Sequence, residues 1–387
     1  MIKVSDRLSQ LPPYLFSEFA RKKKELESQG IKVIDLGIGA PDLATPSFIV
    51  EELIRQVQNP NNHKYPPYHG AQEFREAVSH YYLRHYGVEL DPNTEVLALI
   101  GSKEGLANFI QSIINPGDTV LIPNPGYPVY RTSVSLAGGV CEELFLTEEN
   151  GYFPNFSDLS QETKSLAKLM ILNYPNNPTA ATVSLQQLEE AVEFGRKENI
   201  LIAHDAAYDL ITFDDYIAPS ILQVPQAKEV AIEFGSLSKS FNMTGWRIGY
   251  AVGNKELIQA LSVYKSNIDT GQFLPIQKAA SIALYSDLSV PKNNSQIFKI
   301  RMERMIEVLK KIGLKIEKPK GTIFLWARVP DNFTGSEFAN KLLMETGIMI
   351  TPGIAFGTNG NQYVRISLSI GLEMIDEIEK RLSKFTI

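Results

Sequence analysis

The sequence holds a single cysteine, Cys141, among its 387 residues, which excludes an intrachain disulfide and a zinc site built from cysteines. Histidine is scarce too. The five, at 63, 69, 80, 85 and 204, show no HExxH spacing, so they are expected on the surface or in the core, with no metal site. No apolar run approaches the ~20 residues of a membrane span. The opening "MIKVSDRLSQLPPYLF" lacks the uninterrupted apolar stretch of a signal peptide, and a cytoplasmic protein without membrane contact is expected. Basic excess is missing as well, because 38 Lys and Arg face 44 Asp and Glu for a net charge of −6. That leaves no electrostatic footprint for nucleic acid, and the partners expected are small molecules. No internal repeat or low-complexity tract interrupts the chain.

What is present is ordinary globular material, 44% hydrophobic and 21% charged, with length for two or three domains at roughly 150 residues each. Between residues 95 and 255 short apolar runs alternate with amphipathic stretches. "EVLALI" precedes "GSKEGLANFIQSII", "TVLIPNP" precedes "YPVYRTSVSLAGG", and "KLMILNYP" precedes "SLQQLEEAVEFGRKEN"; "LIAHD" and "VAIEFGS" follow. The runs are nearly continuous in hydrophobicity, as strands covered on both faces by helices are. An α/β fold results, with a large domain built on a mostly parallel central sheet. Ser184 and Gln187 form a capping-box pattern for one helix. After about residue 285 the style becomes α+β: "SQIFKIRMERMIEVLKKIG" reads as a long helix, "TIFLWARV" and "YVRISLS" as strands, and "GLEMIDEIEKRLSKF" as a closing helix. The expected division is an N-terminal segment, 1–45, joining a small C-terminal domain, 285–387, around a large domain, 46–284.

Ligands of a parallel sheet bind outside the carboxyl ends of its strands. At those ends stand Gly101, Ser102 and Lys103; Gly126 and Tyr127; Asn176 and Asn177; Asp205 and Tyr208; and Ser236, Ser238 and Lys239. "GSKEG" puts glycine and serine directly before a helix, where backbone N–H groups and the helix dipole favour an anion. Ser236, Ser238 and Arg247 add two hydroxyls and a guanidinium fork, and together they describe a phosphate pocket. Lys239 can form a Schiff base with an aldehyde, and Asp205 can keep a pyridine nitrogen protonated. Pyridoxal 5′-phosphate is the cofactor that needs both partners beside a phosphate site.

"SLSKSFNMTGWRIGY", "YPNNPTA", "HDAAYDL", "NPGYPVY" and "YVRISLS" stand in the order and at about the spacing of the class I/II aminotransferases of fold type I, and the chain resembles that family over essentially its whole length. The resemblance implies that Lys239 holds the cofactor aldehyde and that Ser236, Ser238 and Arg247 bind its phosphate, with Ser102 and Lys103 as backbone donors. It implies Asp205 at the pyridine nitrogen, Tyr208 and Asn177 at the phenolic oxygen, and Tyr127 stacked on the ring. Tyr65 matches a tyrosine that reaches the neighbouring subunit's phosphate, implying a homodimer with shared sites. Arg365 aligns with the arginine that grips the substrate α-carboxylate, and Gly39 with a glycine whose missing side chain makes room for substrate. Ala180, "GSKEG", "KSNIDTGQFLPIQ" and "DRLSQLPPYLF" are similar to the subgroup of LL-diaminopimelate aminotransferases. The plant and chlamydial members carry a glutamate near the position of Tyr68, which this chain does not.

The reaction implied is transamination between an amino acid and a 2-oxo acid, with glutamate and 2-oxoglutarate as one pair and LL-diaminopimelate, in lysine biosynthesis, as the expected other amine. Aspartate, alanine or aromatic amino acids are the alternatives within transamination. A carbon–sulfur lyase and a non-catalytic regulator that binds the cofactor are the alternatives outside it.

Overall fold

The computed structural model describes residues 2–9, 11 and 15–386; Gln10 and residues 12–14 of the opening stretch lie outside the described residues, as do Met1 and Ile387. Seven strands make the main sheet: β1 (Val96–Leu99), β2 (Thr119–Asn124), β3 (Val140–Phe145), β4 (Ala167–Asn173), β5 (Leu201–Asp205), β6 (Ala231–Ser236) and β7 (Gly249–Gly253), in the order β1-β7-β6-β5-β4-β2-β3. Successive residues of β4 alternate between two apolar clusters, Met170 and Leu172 entering one and Leu169 and Ile171 the other. Both faces of the strand are therefore covered, which is why its sequence is a continuous apolar run.

Helices Ser102–Ile113, Val129–Leu136 and Leu185–Glu198 return the chain between parallel strands, the last opened by the expected box, with Gln187 N donating to Ser184 Oγ at 3.3 Å and Ser184 N to Gln187 Oε1 at 2.9 Å. Between β6 and β7 the chain instead turns back through the short helix Leu237–Ser240. β7 therefore runs antiparallel to both neighbours, with Phe234 opposite Ala251 and Ala98 opposite Tyr250. Two reversals leave β1 parallel to β6, so β1, β2, β4, β5 and β6 end on the same edge of the sheet.

A second, antiparallel sheet is ordered β10-β11-β9-β8, with β8 (Lys315–Ile316), β9 (Phe324–Arg328), β10 (Thr351–Pro352) and β11 (Tyr363–Ser367). Its apolar cluster takes Phe298 and Met302 from the helix Ser289–Lys310 and Ile375 from the helix Leu372–Leu382. The long helix begins six residues before the expected Ser295, with Pro291 in the first turn, where proline deprives the helix of no hydrogen bond. Ile34 and Leu36 join the cluster, and Ile34–Asp35 pairs in parallel with Ile348–Met349. Ala207 and Tyr208, just beyond β5, join it too, which seats the small sheet against the carboxyl edge of the large one. Among the described residues no helix is long and apolar enough to cross a membrane.

Candidate active site

A cavity of about 470 Å³ opens where the two sheets meet, and Ser102, Lys103, Tyr127, Asn177, Asp205, Tyr208, Ser236, Ser238, Lys239, Arg247, Gly39 and Arg365 all line it. Of the residues given a role by the resemblance, Tyr65 stands apart, 86% exposed and outside this lining.

The floor is a chain of hydrogen bonds across the strand ends. The side-chain amide of Asn173, the last residue of β4, donates to Asp205 O at 2.8 Å, and its own oxygen accepts from Asn177 N at 2.8 Å. Asn177 Oδ1 in turn accepts from Arg365 Nη1 at 2.8 Å, while Arg365 Nη2 donates to Gly37 O at 2.6 Å. The Arg365 guanidinium, in the middle of β11, lies between the rings of Phe324 and Phe356, 4.3 and 4.7 Å from their centroids. Cation–π attraction offsets part of the desolvation cost. Burial lowers its pKa to about 10, so it keeps its charge at neutral pH.

Lys239 extends from the short helix after β6 to donate to Gly39 O at 2.8 Å. Its amine is pushed down to about 8, first by burial, then by the positive charges of Arg365 and Arg247, with Asp205 opposing. Asp205 ends β5 with Oδ2 accepting from Tyr130 Oη at 2.9 Å, while Oδ1 is buried without a hydrogen-bond partner among the described residues. Burial raises its pKa, and the Tyr130 hydrogen bond works against that rise.

At the other end, Gly101 caps the helix Ser102–Ile113 with φ +83°. A Cβ there would stand 2.3 Å from Arg247 Nη2, so the glycine lets the guanidinium close against the helix start. Arg247 itself has φ +54° and donates from Nη1 to Thr244 O at 2.9 Å. Ser236 Oγ accepts from Ser238 N at 3.2 Å. At Gly39 the space a side chain would need is taken by Phe324, whose Cζ lies 2.5 Å from the Cβ position.

Tyr130, Asn173, Phe324 and Phe356 are the participants that the sequence reading passed over. Tyr130 has a signal in hindsight, one helical turn after Tyr127 in "PGYPVY", yet it reads as core until its carboxylate partner is seen. His204, beside Asp205 on β5, is fully buried with Nδ1 2.7 Å from Glu233 Oε2, a core histidine on the far side of the sheet. Among the described residues no group of three or more His, Cys, Asp and Glu is arranged to hold a metal.

These groups fit pyridoxal 5′-phosphate. The unpartnered Asp205 Oδ1 suits a protonated ring nitrogen, a depressed amine suits an aldehyde, and two hydroxyls, a guanidinium and a glycine-opened helix start suit a phosphate.

Over residues 31–382 the chain matches the family described as aminotransferase class I and II. It is 47% identical to the LL-diaminopimelate aminotransferase of Aquifex aeolicus (strain VF5), with 100% of each chain covered. The protein of that name from Moorella thermoacetica is 44% identical over 98% of this chain and 97% of its own. Among solved structures, substrate-bound BacF from Bacillus subtilis superposes with a TM-score of 0.96 at 39% identity, covering 99% of this chain and 98% of that one. A single mutant of Thermus thermophilus aspartate aminotransferase gives 0.92 at 28% identity, covering 99% and 100%.

Proposed function

This chain belongs to the class I and II aminotransferases, fold type I enzymes that work with pyridoxal 5′-phosphate, and we propose that its amino donor is LL-diaminopimelate, with glutamate and 2-oxoglutarate as the second pair, in lysine biosynthesis. The observation that carries the reading is one cleft holding a depressed lysine amine, a buried carboxylate with one oxygen unpartnered, and a buried arginine. The names of full-length relatives at 44 to 47% identity support the choice of amine.

In this proposal Arg365, held by its bonds to Asn177 and Gly37, binds the substrate α-carboxylate through its guanidinium. Its fixed seat between two phenyl rings orients the amino acid with Cα toward Lys239. When bound, the cofactor supplies an aldehyde that captures the substrate amine and a protonated ring that accepts the electron pair left at Cα. Asp205 holds the ring nitrogen, Tyr208 and Asn177 face the phenolic oxygen, and Tyr127 stacks on the ring. Ser236, Ser238, Arg247 and the backbone of Ser102 and Lys103 hold the phosphate. Lys239 Nζ takes the proton from Cα, and an amine with pKa about 8 is poised to accept it near physiological pH.

The same proposal makes the protein a cytoplasmic homodimer in which the exposed Tyr65 completes the neighbouring copy's phosphate site; sedimentation of the loaded protein as a monomer would exclude the shared site. The two parts are taken as 46–284 and 285–387 with 1–45, a division supported by the separate apolar cluster around Phe298 and Ile366 that Ile34 and Leu36 join.

The test is a panel of amino donors with 2-oxoglutarate, reading glutamate formed. LL-diaminopimelate is expected to exceed aspartate, alanine and phenylalanine in kcat/KM by at least about 100-fold, the discrimination open to a site that pairs a distal charged group. A preference for one of the others would replace the donor and leave the aminotransferase. Pyruvate and ammonia released from a β-substituted amino acid would turn the reading to a lyase, and retained cofactor without turnover to a regulator.

A further inference from the structure

We propose that Tyr130 is a positioning residue for Asp205, fixing which carboxylate oxygen faces the cofactor ring nitrogen and on which side of that contact the proton rests; this rests on the assignment of Asp205 to the ring nitrogen made above. Tyr130 lies on the helix Val129–Leu136, directly beyond the end of β2, 75 positions before its partner. It is 2% exposed, and its ring meets that of Tyr127 edge-on, centroids 5.7 Å apart at 86°. Its hydroxyl donates to Asp205 Oδ2 at 2.9 Å. The opposite oxygen, Oδ1, has no hydrogen-bond partner among the described residues, so among side chains the carboxylate is tethered on one side only, with the Ala207 backbone adding to the pull on its charge.

Burial and the neighbouring carboxylate push the Tyr130 hydroxyl well above its ordinary pKa, which keeps it a donor across the working range. Lys239, from the helix after β6, and His204, from its own strand, also pull the Asp205 pKa down, but their hydrogen bonds go to Gly39 O and to Glu233. Tyr130 is thus the side chain that hydrogen-bonds the carboxylate among the described residues. A hydrogen bond to an ionised carboxylate is stronger than one to the neutral acid. The hydroxyl therefore favours the charge-separated arrangement, carboxylate on Asp205 and proton on the ring, by roughly ten- to a hundredfold. A ring that keeps its proton is the better electron acceptor when Cα is deprotonated.

Tyr130→Phe keeps the ring and its contact with Tyr127 and removes only the hydroxyl. The protein would be loaded with pyridoxal 5′-phosphate carrying ¹⁵N in the ring, and the nitrogen shift read alongside kinetics. Wild type is expected at the pyridinium position and Asp205→Asn at the neutral-pyridine position. Tyr130→Phe should move from the first toward the second, its proton equilibrium displaced toward Asp205 about tenfold or more, with kcat down about tenfold and KM within about threefold. In the Asp205→Asn background the tyrosine substitution should add no further loss, because the residue acts through the carboxylate. A Tyr130→Phe ring signal identical to wild type, or a full additional loss in that background, would overturn the proposal. A wild-type ring that is itself neutral would overturn the Asp205 assignment and Tyr130's role with it, a result distinct from the other two.

Discussion

In the proposed reaction Lys239 must be both buried and reactive, and its energetics show the conflict. Its amine titrates at about 8 against an ordinary 10.5, so between those values the unfolded chain binds more protons than the folded one, and the stability of the cofactor-free protein rises with pH across that window. Below about pH 8 the full penalty of holding a charged amine in the cleft is in force. Lys239→Met should therefore stabilise the cofactor-free protein at pH 7, by something on the order of 2–3 kcal/mol. The gain should fade as pH climbs toward 10.5. Urea unfolding at several pH values measures this, and an unchanged midpoint at pH 7 would contradict the burial argument. The same substitution should lower amino transfer by at least about a thousandfold. Lys239, Asp205 and Arg247 were legible in the sequence because polar residues at the ends of apolar runs are conspicuous. Tyr130, Asn173 and Phe324 were not, since each acts through a partner brought near only by the fold: Tyr130 through Asp205, Asn173 through Asn177, Phe324 through Arg365.

In the proposed site two elements set the phosphate end, the start of the helix Ser102–Ile113 and the turn at Arg247, and Gly101 is where they touch. With φ +83° and an Arg247 nitrogen 2.3 Å from where a Cβ would stand, Gly101→Ala meets strain and a clash together. It is expected to cost ~1–3 kcal/mol of stability and to weaken cofactor affinity about tenfold, read by titrating pyridoxal 5′-phosphate into the cofactor-free protein. Unaltered affinity would mean that Arg247 does not need this close approach. The strands that carry the site were readable as continuous apolar runs because they are buried on both faces. β3 was not, because in this edge strand "VCEELF" only Leu144 is fully buried. β7, "GYAVG", is short and bounded by glycines, with Gly249 held glycine by Gly235 O and Ser102 N at 2.7 and 2.9 Å from its Cβ position. Such a strand looks like a loop until its partners are known.

Over the whole molecule, the placement of Ala207 and Tyr208 in the small sheet's apolar cluster brings the residues proposed for the cofactor against the arginine proposed for the substrate. The large sheet presents Lys239 and Asp205, the small one Arg365, and the cleft exists only where they meet. Sequence order could suggest this through motif spacing, but the closure of the Arg365–Asn177–Asn173–Asp205 chain depends on how the two sheets are docked. The claim that one lysine in this cleft carries the cofactor and yields it to the proposed substrate is tested most directly by borohydride. Reduction fixes pyridoxal 5′-phosphate to whichever lysine holds it, and peptide mass mapping then identifies that residue, with and without prior addition of LL-diaminopimelate. The account requires the label on Lys239 in the loaded protein and its disappearance once the amino acid has been added. A label on another lysine, or one on Lys239 that persists unchanged in the presence of LL-diaminopimelate, would contradict it.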